Sequence, residues 1–450
     1  MNKLINKFNK PNTLMVLTSF PEKGGEVAVE NAISRYSHLL VTHFPKYQRV
    51  VVICEKRANE GPYEIAENVL VVPSYTYDSP AFAFQVGSAL RKFGKAANLM
   101  VQFEFHIFGG KASIPGIMAV IASQSLAGRN VSIMLHQVVS DINSLSGHLG
   151  LSKGGFGSRV FNLSLKLFYG FVGTFCQKVL VHDSLLAKRL EGLVKQDKIV
   201  VIPHGSDLPK NVLTRIGQAT RRSIGLNDGN VAVLVFGYLS WYKGSDWAVR
   251  TLGNIARKYP DLKLKLVLAG GESPTLKETG SYKAFSGKLQ NLLKSNCKCT
   301  ITTGFVPEAK VGNLFSAADL VVFPYRTKMS ASGALSIAWQ YGKPVLTSEA
   351  FDKNFDEADV KEALEQKGIT KDDISFKLNQ ASFEKALLGL LQSQALKKNL
   401  GVAGRQIARG RSWDSVALLY LNACLGAYVP SFGISSERGI EAYAANQNTV

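Results

Sequence analysis

The sequence predicts an α/β protein built from two doubly wound, Rossmann-like domains that face a central cleft. Short apolar runs rich in Val, Ile and Leu alternate with longer helical stretches along the whole chain. These runs show little polar alternation, which is typical of parallel strands buried on both faces. The alternation pauses once, at residues 206–229, and then begins again. The pause predicts a boundary between two domains of similar size.

The predicted strands fall into two series. The first series covers residues 13–20, 49–56, 68–74, 98–105, 131–138, 178–184 and 198–205, and the second covers 231–238, 264–271, 299–306, 320–326 and 344–348. Most of the intervening stretches are long enough for the helical crossovers that parallel strands require. We therefore place the first domain at residues 1–207, the second at 208–411 and a tail at 431–450.

The composition bounds the class of protein. Of the 450 residues, 46% are hydrophobic and 19% are charged, which is ordinary for a globular protein. The formal net charge of +19 would suit a nucleic-acid binder, a protein at an anionic membrane surface, or an enzyme for anionic substrates. The positive charge is dispersed and no aromatic-interleaved RNA-binding signature is present, so we expect no nucleic-acid partner. An anionic membrane surface and a phosphorylated substrate fit better.

The five cysteines are widely scattered, and Cys297 and Cys299 lack the further ligands of a zinc pattern. The N-terminal stretch "MNKLINKFNKPNTLMVLTSF" predicts neither a signal peptide nor a membrane span. Residues 156–181 are apolar but interrupted by Ser, Asn, Lys and Gly, and predict a buried or surface-lying helix. We expect a reduced, cytoplasmic setting, with peripheral attachment to the inner face of the membrane left open.

Three loops carry candidate anion-binding features. Gly24 and Gly25 stand between a strand and a helix, where backbone amides can approach a ligand, although a tight turn alone is the alternative. In "VFGYLSWYKGSDWAV", residues 235–249, a strand ends at Gly237 and a helix opens at Lys243. A lysine at a helix start can hold a diphosphate, and a solvated lysine is the alternative here.

The third loop precedes the helix in "TKMSASGALSIAWQYGKPVLTS", residues 327–348. Ser332 is a candidate N-cap, so the amides of Gly333, Ala334 and Leu335 would point at a ligand. Ligands of doubly wound sheets bind beyond the carboxyl ends of the strands. We therefore predict the main site in the cleft between the domains.

Taken in order, these segments resemble the nucleotide-sugar glycosyltransferases of the GT-B fold, of the retaining family 4 type (glycosyl transferases group 1). The other matching segments are "MLHQV", "VIPHGSD", "LVLAGGES" and "TGFVPEAKVGNLFSAADLVVFPY". The resemblance covers nearly the whole chain and rests on the order and spacing of loose motifs. The segment "VQFEFHIFGG", residues 101–110, resembles one branch of that family.

The resemblance implies roles for individual residues. Lys243 and the amides at Gly333, Ala334 and Leu335 would bind the donor diphosphate. Gly24 and Gly25 would approach the phosphate or the sugar from the other domain, His136 would lie near the transferred sugar, and Phe305 and Val306 would edge the base pocket. A terminal helix at about 412–430, with Trp413, would return to the first domain. No metal or other cofactor is expected.

The chain departs from the family pattern in two places. Tyr238 stands where the family often has an Arg, and Arg326 or Lys328 are candidates to replace that charge. Met329 and Ile337 stand where the family has a pair of Glu residues, so this is a variant branch lacking the usual pair. Retaining transfer in this family is generally thought to need no protein nucleophile. Positioning and stabilisation of the leaving diphosphate then suffice, and the loss predicts altered donor recognition.

Other candidates follow from residue type and position. Glu104 is a carboxylate near the carboxyl end of an apolar strand, a place that requires either an ion pair or a role in the cleft. His106 and His204 also stand at strand ends, whereas His38, His43, His148 and His182 fit structural or surface positions.

Three functions compete at this point. The first is transfer of a hexose from a nucleotide-sugar donor to a saccharide or lipid-linked acceptor, with retention of configuration and without a metal. The second is a phosphorylase of the same fold. The third is a catalytically silent carbohydrate-binding or partner protein. Lys243 and His136 favour the two enzymes, whereas Tyr238, Met329 and Ile337 favour the silent protein.

Overall fold

The computed structural model describes residues 2–24, 32–57, 60–110, 113–140, 155–207, 214–273 and 276–426. The strands are β1 Leu14–Leu17, β2 Val50–Glu55, β3 Tyr63–Ala66, β4 Val69–Tyr75, β5 Asn98–Phe103, β6 Asn130–Leu135, β7 Lys178–Val181, β8 Ile199–Val201, β9 Val231–Phe236, β10 Leu264–Ala269, β11 Thr300–Gly304, β12 Leu320–Phe323, β13 Val345–Ser348 and β14 Ser375–Phe376. The α-helices are α1 Asn2–Phe8, α2 Ala32–Thr42, α3 Phe82–Arg91, α4 Ser113–Leu126, α5 Phe156–Phe175, α6 Ser184–Lys188, α7 Thr214–Ser223, α8 Ser245–Lys258, α9 Gly280–Ser295, α10 Glu308–Ala317, α11 Gly333–Gln340, α12 Ala358–Glu365, α13 Gln380–Gln392, α14 Gln394–Gly410 and α15 Trp413–Leu425.

The strands form two sheets, in the orders β3-β4-β2-β1-β5-β6-β7-β8 and β11-β10-β9-β12-β13-β14. Neighbouring strands pair in parallel, except that β3 pairs antiparallel with β4. The α/β class with two doubly wound sheets is therefore confirmed. Every predicted strand is present, and β3 and β14 are additions. Both are short edge strands, which carry too few residues to show a periodic pattern.

The chain divides into two compact units. One unit comprises Met1–Val138, Lys166–Pro203 and Trp413–Val450, and the other comprises Val139–Leu165 and His204–Ser412. The predicted boundary at 207/208 therefore differs for the segment 139–165, which groups with the second unit. The break in composition at residues 206–229 does not anticipate this division.

Each unit has its own apolar core. In the first unit, Val16, Met100 and Met134 from the central strands are fully buried together with Tyr420 of α15. Trp413 of the same helix packs edge-on against Tyr36, with ring centroids 5.0 Å apart. Helix α15 thus contributes to the core of the first unit, although it follows the second unit in sequence. The core of the second unit contains the central strands β9, β10 and β12 with helices on both faces.

The strand orders place one switch point in each sheet, where successive strands begin to be added on the other side. In the first sheet this point lies between β1 and β5, and in the second it lies between β9 and β12. The loops that follow these four strands begin at residues 18, 104, 237 and 324, at the carboxyl ends of the strands. Crevices at such points are the usual ligand sites of open α/β sheets.

Helix α8 begins where the chain is tightly packed. Gly244, its N-cap residue, has a left-handed backbone with φ 73°. A Cβ atom at this position would lie 2.0 Å from the carbonyl oxygen of Pro324, in the loop after β12. Only glycine lets the start of α8 approach that loop so closely.

We expect Gly244→Ala to lower the free energy of unfolding by about 1–3 kcal/mol more than Gly225→Ala, because the new methyl group overlaps Pro324. Gly225 is the matched control, since it has a similar φ of +81° with no atom within 4 Å of an added Cβ. Urea unfolding followed by tryptophan fluorescence measures both variants. Equal destabilisation would show that the close approach at Gly244 contributes nothing.

Candidate functional site

Lys243 lies at the switch point of the second sheet, directly before Gly244. Its side chain is half-buried, and a Cβ atom on Gly237 would lie only 2.7 Å from its Nζ atom. Within the described part of the chain the ammonium group has no hydrogen-bond or ion-pair partner. Its Nζ atom lies 5.9 Å from the centroid of the Tyr242 ring. Burial lowers the pKa of Lys243 to about 8. A desolvated cation without a counter-charge attracts an anionic ligand.

The start of α11 follows β12 on the other side of the same switch point. Ser332 is the N-cap, as predicted, and its hydroxyl accepts a hydrogen bond from the Leu335 amide at 3.3 Å. The Leu335 amide is therefore occupied by the cap and is a poor candidate for binding a ligand. Gly333 and Ala334 occupy the first two helical positions, whose N–H groups have no partner within a helix. A Cβ atom on Gly333 would lie 3.7 Å from Nε2 of His204, so this imidazole borders the helix start.

Arg326 holds the loop that carries Lys243. Its guanidinium makes two hydrogen bonds of 2.8 Å to the carboxylate of Asp246, in the first turn of α8, and a third to the carbonyl of Trp241. Its backbone amide donates to the carbonyl of Tyr242 at 2.7 Å. The predicted donor-binding role of Arg326 stays a prediction, and the pairing of its charge with Asp246 favours a positioning role.

The second candidate for the missing charge is also engaged. Lys328 is 2% exposed, and its ammonium group donates to the side-chain oxygen of Asn354. Its Nζ atom also lies 5.7 Å from the centroid of the Phe351 ring. Lys328 therefore supports the base of the loop before α11. Of Lys243, Arg326 and Lys328, Lys243 is the cation without a hydrogen-bond or ion-pair partner among the described residues.

Phe305 and Val306 follow β11, as the expected edge of a base pocket requires. The Phe305 side chain is 48% exposed, whereas Val306 packs against the core of the second unit. The Tyr282 hydroxyl donates to the carbonyl of Leu239 at 2.9 Å and accepts from the amide of Ser273 at 3.1 Å. Tyr282 thus ties together the loops after β9 and β10, a role that the sequence pattern did not indicate.

The two positions that we predicted to replace a Glu pair hold uncharged side chains. Met329 is half-buried in the loop before α11, and Ile337 packs against the core of the second unit one turn into the helix. Helix α11, with the sequence GALSIAWQ, contains no acidic residue. The altered donor recognition expected from these two residues stays a prediction.

Glu104 follows β5 at the switch point of the first sheet. Its carboxyl group is half-buried and has no hydrogen-bond or ion-pair partner in the described part of the chain, and burial raises its pKa to about 7. The next residues are held in an unusual conformation. His106 has a φ of 78°, and its carbonyl accepts a hydrogen bond of 3.1 Å from the Tyr77 hydroxyl. Backbone strain of this kind is concentrated at functional sites.

His136 follows β6, next to Glu104 in the sheet, but its imidazole is only 4% exposed. Its Nε2 atom lies 2.7 Å from the side-chain oxygen of Gln102, and its Nδ1 atom lies 3.0 Å from Nε2 of His182. Both ring nitrogens are therefore occupied. The predicted contact with a transferred sugar stays a prediction, and the observed contacts favour a positioning role for His136. His182, which we expected at a structural or surface position, is buried in the same cluster.

One tautomer in this cluster follows from its partner. His182 Nδ1 lies 3.1 Å from the carbonyl of Ile202, which can only accept a hydrogen bond, so Nδ1 carries a proton.

The remaining candidates are less informative. Gly24 has a φ of 68° with open space around an added Cβ, so its backbone conformation alone explains a glycine. Gly25 lies outside the described residues.

Among the described residues, no three His, Cys, Asp or Glu side chains are grouped as metal ligands would be. Within the same residues, no helix is both long enough and apolar enough to cross a membrane.

Comparisons with known proteins bear on the fold and on the second unit. Residues 230–393 match the family model described as glycosyl transferases group 1. No curated protein gave a significant match.

Three solved structures share the fold over more than nine-tenths of this chain. Sucrose-phosphate synthase from Thermosynechococcus elongatus is 14% identical, with 91% of this chain and 97% of that chain covered and a TM-score of 0.65. An α,α-trehalose-phosphate synthase (UDP-forming) from Burkholderia vietnamiensis is 11% identical, with 96% and 100% covered and a TM-score of 0.64. Anabaena HepE in complex with UDP and glucose is 15% identical, with 92% and 100% covered and a TM-score of 0.60. Residues 230–393 therefore match the glycosyl transferases group 1 family model, and the chain shares the GT-B fold of these structures.

Proposed function

We propose that this protein transfers a hexose from a nucleotide-sugar donor to a saccharide or lipid-linked acceptor, with retention of configuration. The observation that carries the proposal is the unpaired ammonium group of Lys243 at the switch point of the second sheet. The match of the surrounding residues 230–393 to glycosyl transferases group 1 supports it. So do the similar folds of HepE in complexes with UDP and with UDP-glucose.

The donor diphosphate binds at Lys243 and at the N–H groups of Gly333 and Ala334 in this proposal. The lysine supplies a full charge, and the start of α11 supplies two amides and the positive end of the helix dipole. Arg326 and Gly244 act indirectly, because they fix the loop on which Lys243 stands. Phe305 offers an exposed ring for stacking on the nucleoside base.

The reaction forms a bond between an acceptor oxygen and the anomeric carbon while the bond from that carbon to the diphosphate breaks. Negative charge grows on the diphosphate, and Lys243 with the two amides stabilises it in a partly dehydrated place. The acceptor hydroxyl loses its proton to a diphosphate oxygen or to the Glu104 carboxylate. Metal independence belongs to the proposal, since Lys243 supplies positive charge where a metal ion would.

Two other functions are alternatives to the transferase, and the experiments below distinguish them. A phosphorylase would use the same anion site for inorganic phosphate. If the protein binds a carbohydrate without catalysing a reaction, the departures from the family pattern at Tyr238, Met329 and Ile337 need no altered transfer chemistry. A cytoplasmic location and attachment to an anionic membrane surface belong to the proposal as well, as does the absence of a nucleic-acid partner.

Lys243→Met should weaken UDP binding by about 1.5–3 kcal/mol, because it removes a charged hydrogen-bond donor and keeps the volume of the side chain. Titration calorimetry measures the affinity. Wild-type affinity should also fall as the pH rises above about 8, where Lys243 loses its proton, and the variant should lack this dependence. Lys353→Met removes a charge from an exposed lysine of the same unit and is the control. Unchanged UDP affinity in Lys243→Met would overturn the proposed diphosphate site.

The affinities of the protein for UDP and for 2′-deoxy-UDP should differ by less than about tenfold, because Ile337 offers no carboxylate to the ribose hydroxyls. Ile337→Glu should increase this discrimination, and Ile337→Val should leave it unchanged while keeping the apolar packing. Turnover of a panel of sugar nucleotides accompanies the binding measurement. Turnover with sugar phosphates and inorganic phosphate alone would favour the phosphorylase, and saccharide binding without any turnover would favour the silent protein.

Glu104→Gln should lower kcat by about 10²–10⁴-fold and remove a limb of the pH profile in which the rate rises through about pH 7. The sign follows from the carboxylate being the form that accepts a proton. Glu64→Gln, at an exposed ion pair with Lys7 in the same unit, is the control.

The same substitution has a predictable effect on stability. The pKa of Glu104 in the folded state lies above 4.5, so the folded state binds more protons than the unfolded chain between about pH 4.5 and 7. The free energy of unfolding therefore falls as the pH rises from about 4.5 to 7 and stays at the lower level above pH 7, so Glu104→Gln should raise it at pH 8 but not at pH 4. A variant that is more stable at pH 8 yet fully active would assign Glu104 no role in transfer.

A further inference from the structure

Helix α5, Phe156–Phe175, has two apolar faces. Leu165, Phe168, Tyr169 and Val172 are at most 5% exposed and form the inner face. Phe168 contacts the rings of Phe103 and Phe105, with centroids 5.0 and 6.1 Å away. Phe168 thus anchors the C-terminal half of the helix to the end of β5 in the first unit.

The opposite face is apolar but uncovered. We define the outer face by Phe156, Val160, Leu163 and Leu167, which are 84%, 48%, 58% and 64% exposed. Their spacing of four, three and four residues places them within an arc of about 60° at roughly 100° per residue. Isolated exposed apolar side chains are common, but a continuous stripe along one helix indicates a binding surface.

The charges beside the outer face decide what it binds. Arg159 and Lys166 are exposed along one flank of the stripe, and the sequence of α5 contains no acidic residue. The chain as a whole carries +19. Two copies of this chain would therefore repel one another across the stripe, whereas an anionic lipid surface would attract it. An apolar stripe flanked by basic residues is the pattern of helices that lie in the plane of a membrane interface.

We propose that the outer face of α5 docks the protein onto anionic lipid membranes, with Phe156, Val160, Leu163 and Leu167 entering the lipid interface. Phe105 lies between Glu104 and the inner face of α5, so docking would hold the Glu104 loop close to the lipid surface. If the transferase function proposed above is correct, this placement favours a lipid-linked acceptor over a soluble saccharide. The docking itself does not depend on that reaction.

Co-sedimentation of the full chain with vesicles tests the proposal without substrates, so its outcome is independent of any transferase activity. Binding to mixed phosphatidylglycerol–phosphatidylcholine vesicles should exceed binding to phosphatidylcholine vesicles by at least about tenfold at low salt and should weaken as salt is added. Leu163→Gln with Leu167→Gln should reduce the binding by at least about tenfold. Arg159→Gln with Lys166→Gln should reduce mainly the part that depends on salt.

The matched control replaces two exposed apolar residues elsewhere in the first unit. Phe84→Gln with Leu126→Gln removes side chains that are 72% and 79% exposed and should leave vesicle binding unchanged. Thermal unfolding checks that each variant is folded. The proposal is overturned if the wild type does not bind anionic vesicles at low salt, or if the α5 and control variants bind equally. It is also overturned if light scattering shows self-association that only the α5 variant abolishes, because a second copy would then be the occupant.

Discussion

The close approach of two backbone segments at Gly244 is the constraint on which the candidate donor site depends. Glycine allows the start of α8 to lie against the carbonyl of Pro324, and the Asp246–Arg326 ion pair closes the same junction. The loop between β9 and α8 is then fixed at both ends, and the ammonium group of Lys243 is held against Gly237. A flexible four-carbon side chain would otherwise turn toward solvent, because hydration stabilises its charge. The packing of the loop therefore preserves an unpaired cation that a looser structure would lose.

Each unit has one desolvated ionisable side chain near its switch point, a lysine in the second unit and a glutamate in the first. Lys243 stands at the end of the loop after β9 and Glu104 directly after β5, each beside a switch point, and neither has a hydrogen-bond or ion-pair partner in the described part of the chain. Burial moves both pKa values toward neutrality, to about 8 and about 7. Groups of this kind destabilise a fold, since desolvation of a charge is unfavourable unless a partner compensates it. The stability of the fold does not explain why Lys243 and Glu104 stand at the carboxyl ends of the strands, whereas binding of a substrate there does.

Rigidity around these groups comes from polar networks inside the units. In the first unit, the chain of contacts through Gln102, His136, His182 and Ile202 joins the ends of four neighbouring strands. The Tyr36 and Tyr420 hydroxyls, 2.9 Å apart, connect helices α2 and α15 in the same core. A fully bonded buried network specifies one arrangement of the elements around it. His136 thus contributes to the shape of the first unit through its contacts, and Arg326 does so in the second.

The sequence by itself determined the fold class, all but two short edge strands, and the places of Lys243 and Ser332, because these depend on local periodicity, on capping and on strand ends. It also located Glu104, since a carboxylate in an apolar strand is conspicuous. Only the tertiary structure decided which polar groups are occupied. Arg326 is bound to Asp246 across eighty residues of sequence, the Leu335 amide is taken by the cap, and His136 is enclosed by Gln102 and His182. Partnerships between residues so far apart in sequence leave no periodic signal, because they depend on how strands and loops are brought together in space.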